Sequence, residues 1–181
     1  VTAPFTMNTA NASNFDLLAS GTLTFNGLVT QTNGNITNTG TAGTINFNGG
    51  YSLDNTNSVF TTMAGTTVNF GGNFTVLGGA EIFNATSTAV FYLNTPSTVT
   101  PTSAITFGHF QINSGINVTF AAGTINVASN WTNLGGTFSP GTNTVIFNGT
   151  GTQTITKTTG ETFYNLTSNT TGPLTLAATT D

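Results

Sequence analysis

Cysteine and arginine are absent, and lysine occurs once. Without thiols there is no disulfide framework and no thiolate metal site. A chain with a single cation cannot neutralise a row of phosphates, which excludes nucleic acid as a partner. Nor can it hold an anionic membrane surface through a basic patch. Charged side chains make up 3% of the 181 residues, where an ordinary soluble domain has about 25%. No apolar run approaches the roughly 20 residues of a membrane span; the longest, Ala89 to Leu93, has five. Leu, Glu, Lys, Arg and Gln are scarce, so helix signals are nearly missing. Only 15–19 (Phe-Asp-Leu-Leu-Ala) would turn helically, and it is too short to stand alone.

What fills the chain instead is Thr, Asn and Gly, with 43, 24 and 22 copies, and 15 Phe. Thr and Phe favour strands, while Asn and Gly favour tight turns. Disordered chains lack aromatic and β-branched residues, so this composition argues for a folded state. With 36% hydrophobic residues, 1–181 reads as one repeat domain with a core.

A short phrase recurs: Thr22-Leu-Thr-Phe25-Asn-Gly, Thr44-Ile-Asn-Phe47-Asn-Gly, Thr67-Val-Asn-Phe70-Gly-Gly and Thr144-Val-Ile-Phe147-Asn-Gly. Its first three phenylalanines are 22 and 23 residues apart. A longer register, of 56 or 57 residues, sets Asn73-Phe74 against Asn130-Trp131, Thr88–Phe91 against Thr144–Phe147, and Val118–Ala122 against Leu174–Ala178. Residues 67–122 and 124–178 thus read as two related modules, and 1–66 as looser repeats. Dividing 56 by three gives units of about 19 residues, so coils of about 19–23 residues are expected, with Gly and Asn at the corners. The fold class expected is all-β, a parallel β-solenoid (β-helix) with Phe, Val, Ile and Leu stacked inward. The alternative is an antiparallel β-sandwich, which also alternates and also turns every 8–12 residues or so.

This pattern resembles the Thr/Asn/Gly-rich β-solenoid repeat regions of microbial cell-surface and adhesin-type proteins. The likeness rests on 130–138 (Asn-Trp-Thr-Asn-Leu-Gly-Gly-Thr-Phe), Ser139-Pro-Gly-Thr142, 144–155 and Phe163-Tyr-Asn-Leu-Thr167. It covers 67–181 well and 1–66 weakly. The resemblance implies a structural or adhesive role at an extracellular or cell-surface location, and it carries over no catalytic residue.

Catalysis needs ionisable groups held together, and the inventory is short: Asp16, Asp54, Glu81, Lys157, Glu161, Asp181, His109 and three Tyr. The leading enzyme reading is a solenoid glycan lyase or hydrolase, in which Asp16, Asp54 and Glu81 would fall on one face one or two coils apart. None of these carboxylates recurs in the repeat, so isolated solvated acids are the preferred reading and no catalytic residue is assigned. No cofactor and no metal ligand set is expected either. His109 reads as a surface residue, and Lys157 with Glu161 as an exposed pair worth well under about 1 kcal/mol. Tyr51, Tyr92, Tyr164 and Trp131 are candidate stacking platforms for surface glycans. Thr150, Thr152, Thr154, Thr156 and Thr158 alternate as if on one strand face. Such arrays can order water, but this one matches only a copy 56 residues back. Nine sequons stand at Asn11, Asn35, Asn73, Asn84, Asn117, Asn130, Asn148, Asn165 and Asn169, only slightly more than a Thr-rich chain produces by chance, and are weak glycosylation candidates.

A solenoid normally protects its end coils with charged or polar caps, and none is visible here. Val1–Phe5 loosely matches Val127–Trp131, the continuation that follows Ala121-Ala122 in the earlier module. The expectation is a homopolymer joined head to tail by β-strand addition, with Val1, Phe5, Leu174, Leu176 and Asp181 at the subunit contact. A chain starting at Val1 reads as a processed mature protein or an excised piece, so an adhesin stalk fragment stays open beside the filament or sheath.

Overall fold

The computed structural model describes residues 2–8, 14–16, 21–37, 42–54, 58–62, 65–77, 82–91, 97–102, 105–157 and 159–177. Val1, Asn11, Glu81, Tyr92, Thr158 and Asp181 lie outside them. Among the described residues there is no helix, and every strand pairing is parallel. The chain winds as a β-solenoid whose coil advances by about 22 residues, and the antiparallel sandwich is excluded.

Each coil has three sides, and strands stack in three columns. The first column holds β1 (Phe5–Asn8), β4 (Val29–Thr37), β6 (Tyr51–Leu53), β9 (Phe74–Val76), β11 (Ser97–Pro101), β13 (Asn117–Phe120) and β16 (Thr137–Ser139). The second holds β2 (Asn14–Asp16), the later part of β4, β7 (Ser58–Thr62) and the early parts of β10 (Ile82–Phe91) and β12 (Ile105–Ile112). It continues through β14 (Thr124–Val127), β17 (Thr144–Phe147) and β19 (Asn165–Ser168). The third holds β3 (Thr22–Phe25), β5 (Thr44–Phe47), β8 (Thr67–Phe70) and the later parts of β10 and β12. It ends with β15 (Trp131–Asn133), β18 (Gln153–Thr156) and β20 (Leu174–Ala177).

The strand period of two decides what faces the axis. In β5 and β8 Ile45, Phe47, Val68 and Phe70 are buried, while Thr44, Asn46, Thr67 and Asn69 face outward and half-buried. Identical slots stack from coil to coil: the Phe25 and Phe47 rings are 5.7 Å apart, and Phe47 and Phe70 5.9 Å. Each enclosed aromatic contributes about 1.5–3 kcal/mol by burial alone, so the axis is the main source of stability. On the outer face amides bond along the column: Asn46 Nδ2 donates to Thr24 Oγ1 at 3.0 Å, and Asn69 Nδ2 to Asn46 Oδ1 at 2.7 Å. Corners are as tight. A Cβ on Gly49 would sit 2.4 Å from the carbonyl carbon of Gly27 in the coil before, so the Asn48-Gly49 turn admits no side chain there.

The 56-residue register does not measure three coils. Thr88–Phe91 lies in the third column and its copy Thr144–Phe147 in the second; Thr98–Thr100 lies in the first and its copy Thr154–Thr156 in the third. At about 22 residues per coil, the offset stops one side short of three turns, so the second copy enters rotated by one side. Units of about 19 residues follow from counting those missing sides as if they were present.

Candidate functional site

The polar groups that turn inward sit at corners. Gln31 is fully buried at the corner inside β4; its Nε2 donates to the carbonyls of Gly34 (2.6 Å) and Val59 (3.0 Å), and its Oε1 accepts from the Tyr51 hydroxyl. Burial pushes the Tyr51 hydroxyl well above its usual pKa, so it stays a donor. Gln153, at the start of β18, repeats the device. Its Nε2 donates to the carbonyls of Val127 (2.9 Å) and Ser129, and its Oε1 accepts from Gly149 N at 2.8 Å.

The last coil differs. On its first side the described residues Lys157 and 159–163 form no strand; Gly160 has φ +79° and its N–H bonds to the Lys157 carbonyl at 3.3 Å. Lys157 Nζ meets Glu161 Oε1 at 2.8 Å, and the glutamate side chain is only 2% exposed. Glu161 Oε2 accepts from Trp131 Nε1 (3.1 Å) and Asn133 Nδ2 (2.8 Å). Asn133 is itself held, its Oδ1 accepting from Gly135 N (3.1 Å) and Gly136 N (2.7 Å). Phe163 leaves the turn and packs edge-on to Trp131, centroids 5.2 Å apart, with Phe138 at 5.9 Å. Beyond it opens a hollow of about 360 Å³ lined by Ile155, Glu161, Phe163, Leu166 and Leu176 among others. Here the alternation continues but the cover stops: Leu166 is 44% and Leu176 80% exposed, although Leu176 is in register with buried Ile155.

Several expected roles change. The Lys157–Glu161 pair forms, but its carboxylate is enclosed rather than exposed, because Trp131 and Asn133 supply donors that no sequence spacing reveals. Trp131 and Tyr51 are fully buried and offer no surface to a sugar; of the proposed platforms Tyr164 is exposed, at 59%. Asp16 stands in the second column, opposite Thr37, whereas Asp54 follows β6 in the first, so the two belong to different columns. His109 is half-buried in the third column beside Thr88, and burial lowers its pKa. The Thr150–Thr158 stretch is not one strand: β18 spans only Gln153–Thr156. Threonine columns do exist elsewhere, one of them Thr22, Thr44, Thr67 and Thr88, interrupted by His109. Its signal was the 22-residue phrase.

Of the sequon asparagines, Asn73, Asn117, Asn148, Asn165 and Asn169 are exposed, and Asn35 and Asn130 are half-buried. Asn73 and Asn130 have their Oδ1 engaged, accepting from Thr98 N (3.0 Å) and Thr154 N (2.9 Å), each in the next coil. Asn84 lies in β10. At the expected contact, Phe5 is half-buried with its ring 5.4 Å from Phe25, and Leu174 packs partly on the core. Among the described residues no three His, Asp or Glu side chains group as a metal site, and no helix is long and apolar enough to cross a membrane. Compared with known proteins, the chain matches no family model, no curated protein and no solved structure.

Proposed function

We propose that this protein is a structural component outside the cell or at its surface, a filament or sheath subunit joined end to end by β-strand addition. The observation that carries this reading is the parallel winding itself: strands stacked on an aromatic axis, with outer faces of Thr and Asn that carry almost no charge. A contact between unlike ends of identical subunits does not close on itself, and so builds an open fibre. The scarcity of charge supports the same reading, since six charged side chains do little to keep free subunits apart. In this reading the repeat itself is the working part.

Electron microscopy and sedimentation of the native protein test this, together with mass spectrometry of its subunit. Fibres of a roughly 18.5 kDa subunit are expected. Monodisperse single copies at every concentration, or a longer native chain whose further coils cover β20, would overturn it.

A further inference from the structure

The chain's only lysine lies against a carboxylate whose side chain is 2% exposed. Lys157 Nζ meets Glu161 Oε1 at 2.8 Å, and Asn133 Nδ2 donates to the other oxygen, Oε2, at 2.8 Å. One carboxylate therefore bridges an amine and a primary amide. The winding brings them together: β15 runs parallel to β18 with Trp131 opposite Ile155 and Thr132 opposite Thr156. Asn133 and Lys157 are the next residues along those two chains. Asn133 is 3% exposed. Trp131, which also donates to Oε2, is fully buried and carries the rings of Phe138 and Phe163 at 4.8 and 5.2 Å.

The amide is held at its other end as well. Asn133 Oδ1 accepts from Gly135 N at 3.1 Å and Gly136 N at 2.7 Å. Two N–H groups aimed at a carbonyl oxygen draw electron density from its carbon. They also stand ready to hold the negative charge that an addition would place on that oxygen. Their aim is fixed: Gly135 has φ +103°, and a Cβ on Gly136 would lie 2.6 Å from the Ile116 carbonyl oxygen. A salt bridge alone would need neither the amide nor its paired N–H groups. Together they supply a nucleophile, an electrophile, a proton carrier and an oxyanion cradle.

We propose that the folded chain joins Lys157 to Asn133 through an amide bond between Nζ and Cγ, with Glu161 carrying the protons. Glu161 Oε1 takes a proton from Nζ, and the freed lone pair attacks Asn133 Cγ. The new C–N bond leaves a tetrahedral carbon whose oxyanion, Oδ1, is held by the Gly135 and Gly136 N–H groups. Glu161 passes the proton to Nδ2, the Cγ–Nδ2 bond breaks, and ammonia leaves. The second amine proton follows through the same carboxylate and departs with ammonia as ammonium. In sum, an ammonium and a carboxamide become a secondary amide and an ammonium ion, without oxidant or cofactor. The flexible lysine stem lets Nζ swing from Oε1 to Cγ. Reaction follows folding, so newly folded chain passes first through the open pair. Once made, the bond ties two neighbouring coils covalently, independently of any end-to-end assembly.

Trypsin cuts after lysine and arginine, so this chain offers it a single site. Purified protein, aged in the folded state, is expected to be lighter than its sequence mass by one ammonia. Once denatured, it is expected to resist trypsin, and chymotrypsin should release one branched peptide joining Asn133 to Lys157. Lys157→Arg keeps a cation beside Glu161 but is expected to show its full sequence mass and to be cut at that position. Glu161→Gln, with strand content checked by circular dichroism, is expected to keep its full mass and a cleavable lysine. Aged parent protein of full mass that trypsin cuts after Lys157 would overturn the bond. So would an ammonia loss that persists in Lys157→Arg, which would belong to a succinimide at an Asn-Gly pair. Crosslinking of Glu161→Gln at the parent's rate would overturn Glu161 as the proton carrier.

Discussion

Gln31, between early coils, and Glu161, in the last coil, are both enclosed side chains that tie a corner together, yet one is neutral and the other charged. Gln31 is fully buried, and its partners are two carbonyls and a phenol, so the site supplies both acceptors and a donor. Glu161 faces donors alone: an indole N–H, an amide N–H and an ammonium. An amide, which donates and accepts, suits a corner where stacked backbone carbonyls crowd inward. A carboxylate only accepts, and it is tolerated where the coil ends and Lys157, 18% exposed, reaches it from the solvent side. The difference teaches that, among the described residues, this solenoid encloses neutral amides at its corners and a charge only where one compensated pair holds it.

That contrast is open to direct attack. The largest effect is expected from Gln31→Glu, which turns a donor into an acceptor against Gly34 O and Val59 O with no cation nearby among the described residues. A loss of about 3–5 kcal/mol, read by urea unfolding monitored at the strand circular dichroism band, is the expected outcome. A loss below about 1 kcal/mol would show that interior corners accept charge after all. Glu161→Gln should be milder, about 1–2 kcal/mol, because its new amide still accepts from Trp131 and Asn133 and Lys157 can turn to water. If Glu161→Gln equalled or exceeded Gln31→Glu in the same unfolding assay, the terminal coil would be no more permissive than the interior.

The smallest effect concerns His109, half-buried on an outer face between these extremes. Its pKa lies below the ordinary 6.5 because burial disfavours the charged ring. The folded state therefore binds that proton less readily than the unfolded chain. Its contribution is fully present above pH 6.5 and declines as pH falls from there through the folded value. Melting temperature should drop between pH 7 and 5, and His109→Gln should flatten that part of the curve. An unchanged slope in the variant would assign it to other groups.

The sequence carried the fold through its period: phenylalanines 22 and 23 residues apart, at Phe25, Phe47 and Phe70, occupy one slot of the third column. Repetition made them legible. Gln31 and Glu161 were not legible, because neither has a counterpart in the repeat that says it points inward. Trp131 and Phe74 fill equivalent repeat positions on different sides, so even a strong match could not say which neighbours the indole would meet. The partners of Glu161 lie 28 and 30 residues back, a separation that corresponds to no helical or strand rule. The observed advance of about 22 residues lies within the expected 19–23; the lower bound came from dividing the 56-residue register by three, although three interchangeable sides allow a copy to start on any of them.

That interchangeability has a consequence for how such a chain lengthens. A segment copied in tandem need not contain complete turns: the 56-residue copy re-enters the winding a third of a turn out of phase and still finds an inward slot for its aromatics. Asn73 and Asn130, equivalent in the two copies, each cap the next coil from a different side. Growth is therefore counted in sides rather than in coils, and an inserted or deleted side rotates everything after it without breaking the column it joins. A protein made this way has more permitted lengths than its coil number suggests, and each length turns a different face of its outer surface to the same direction.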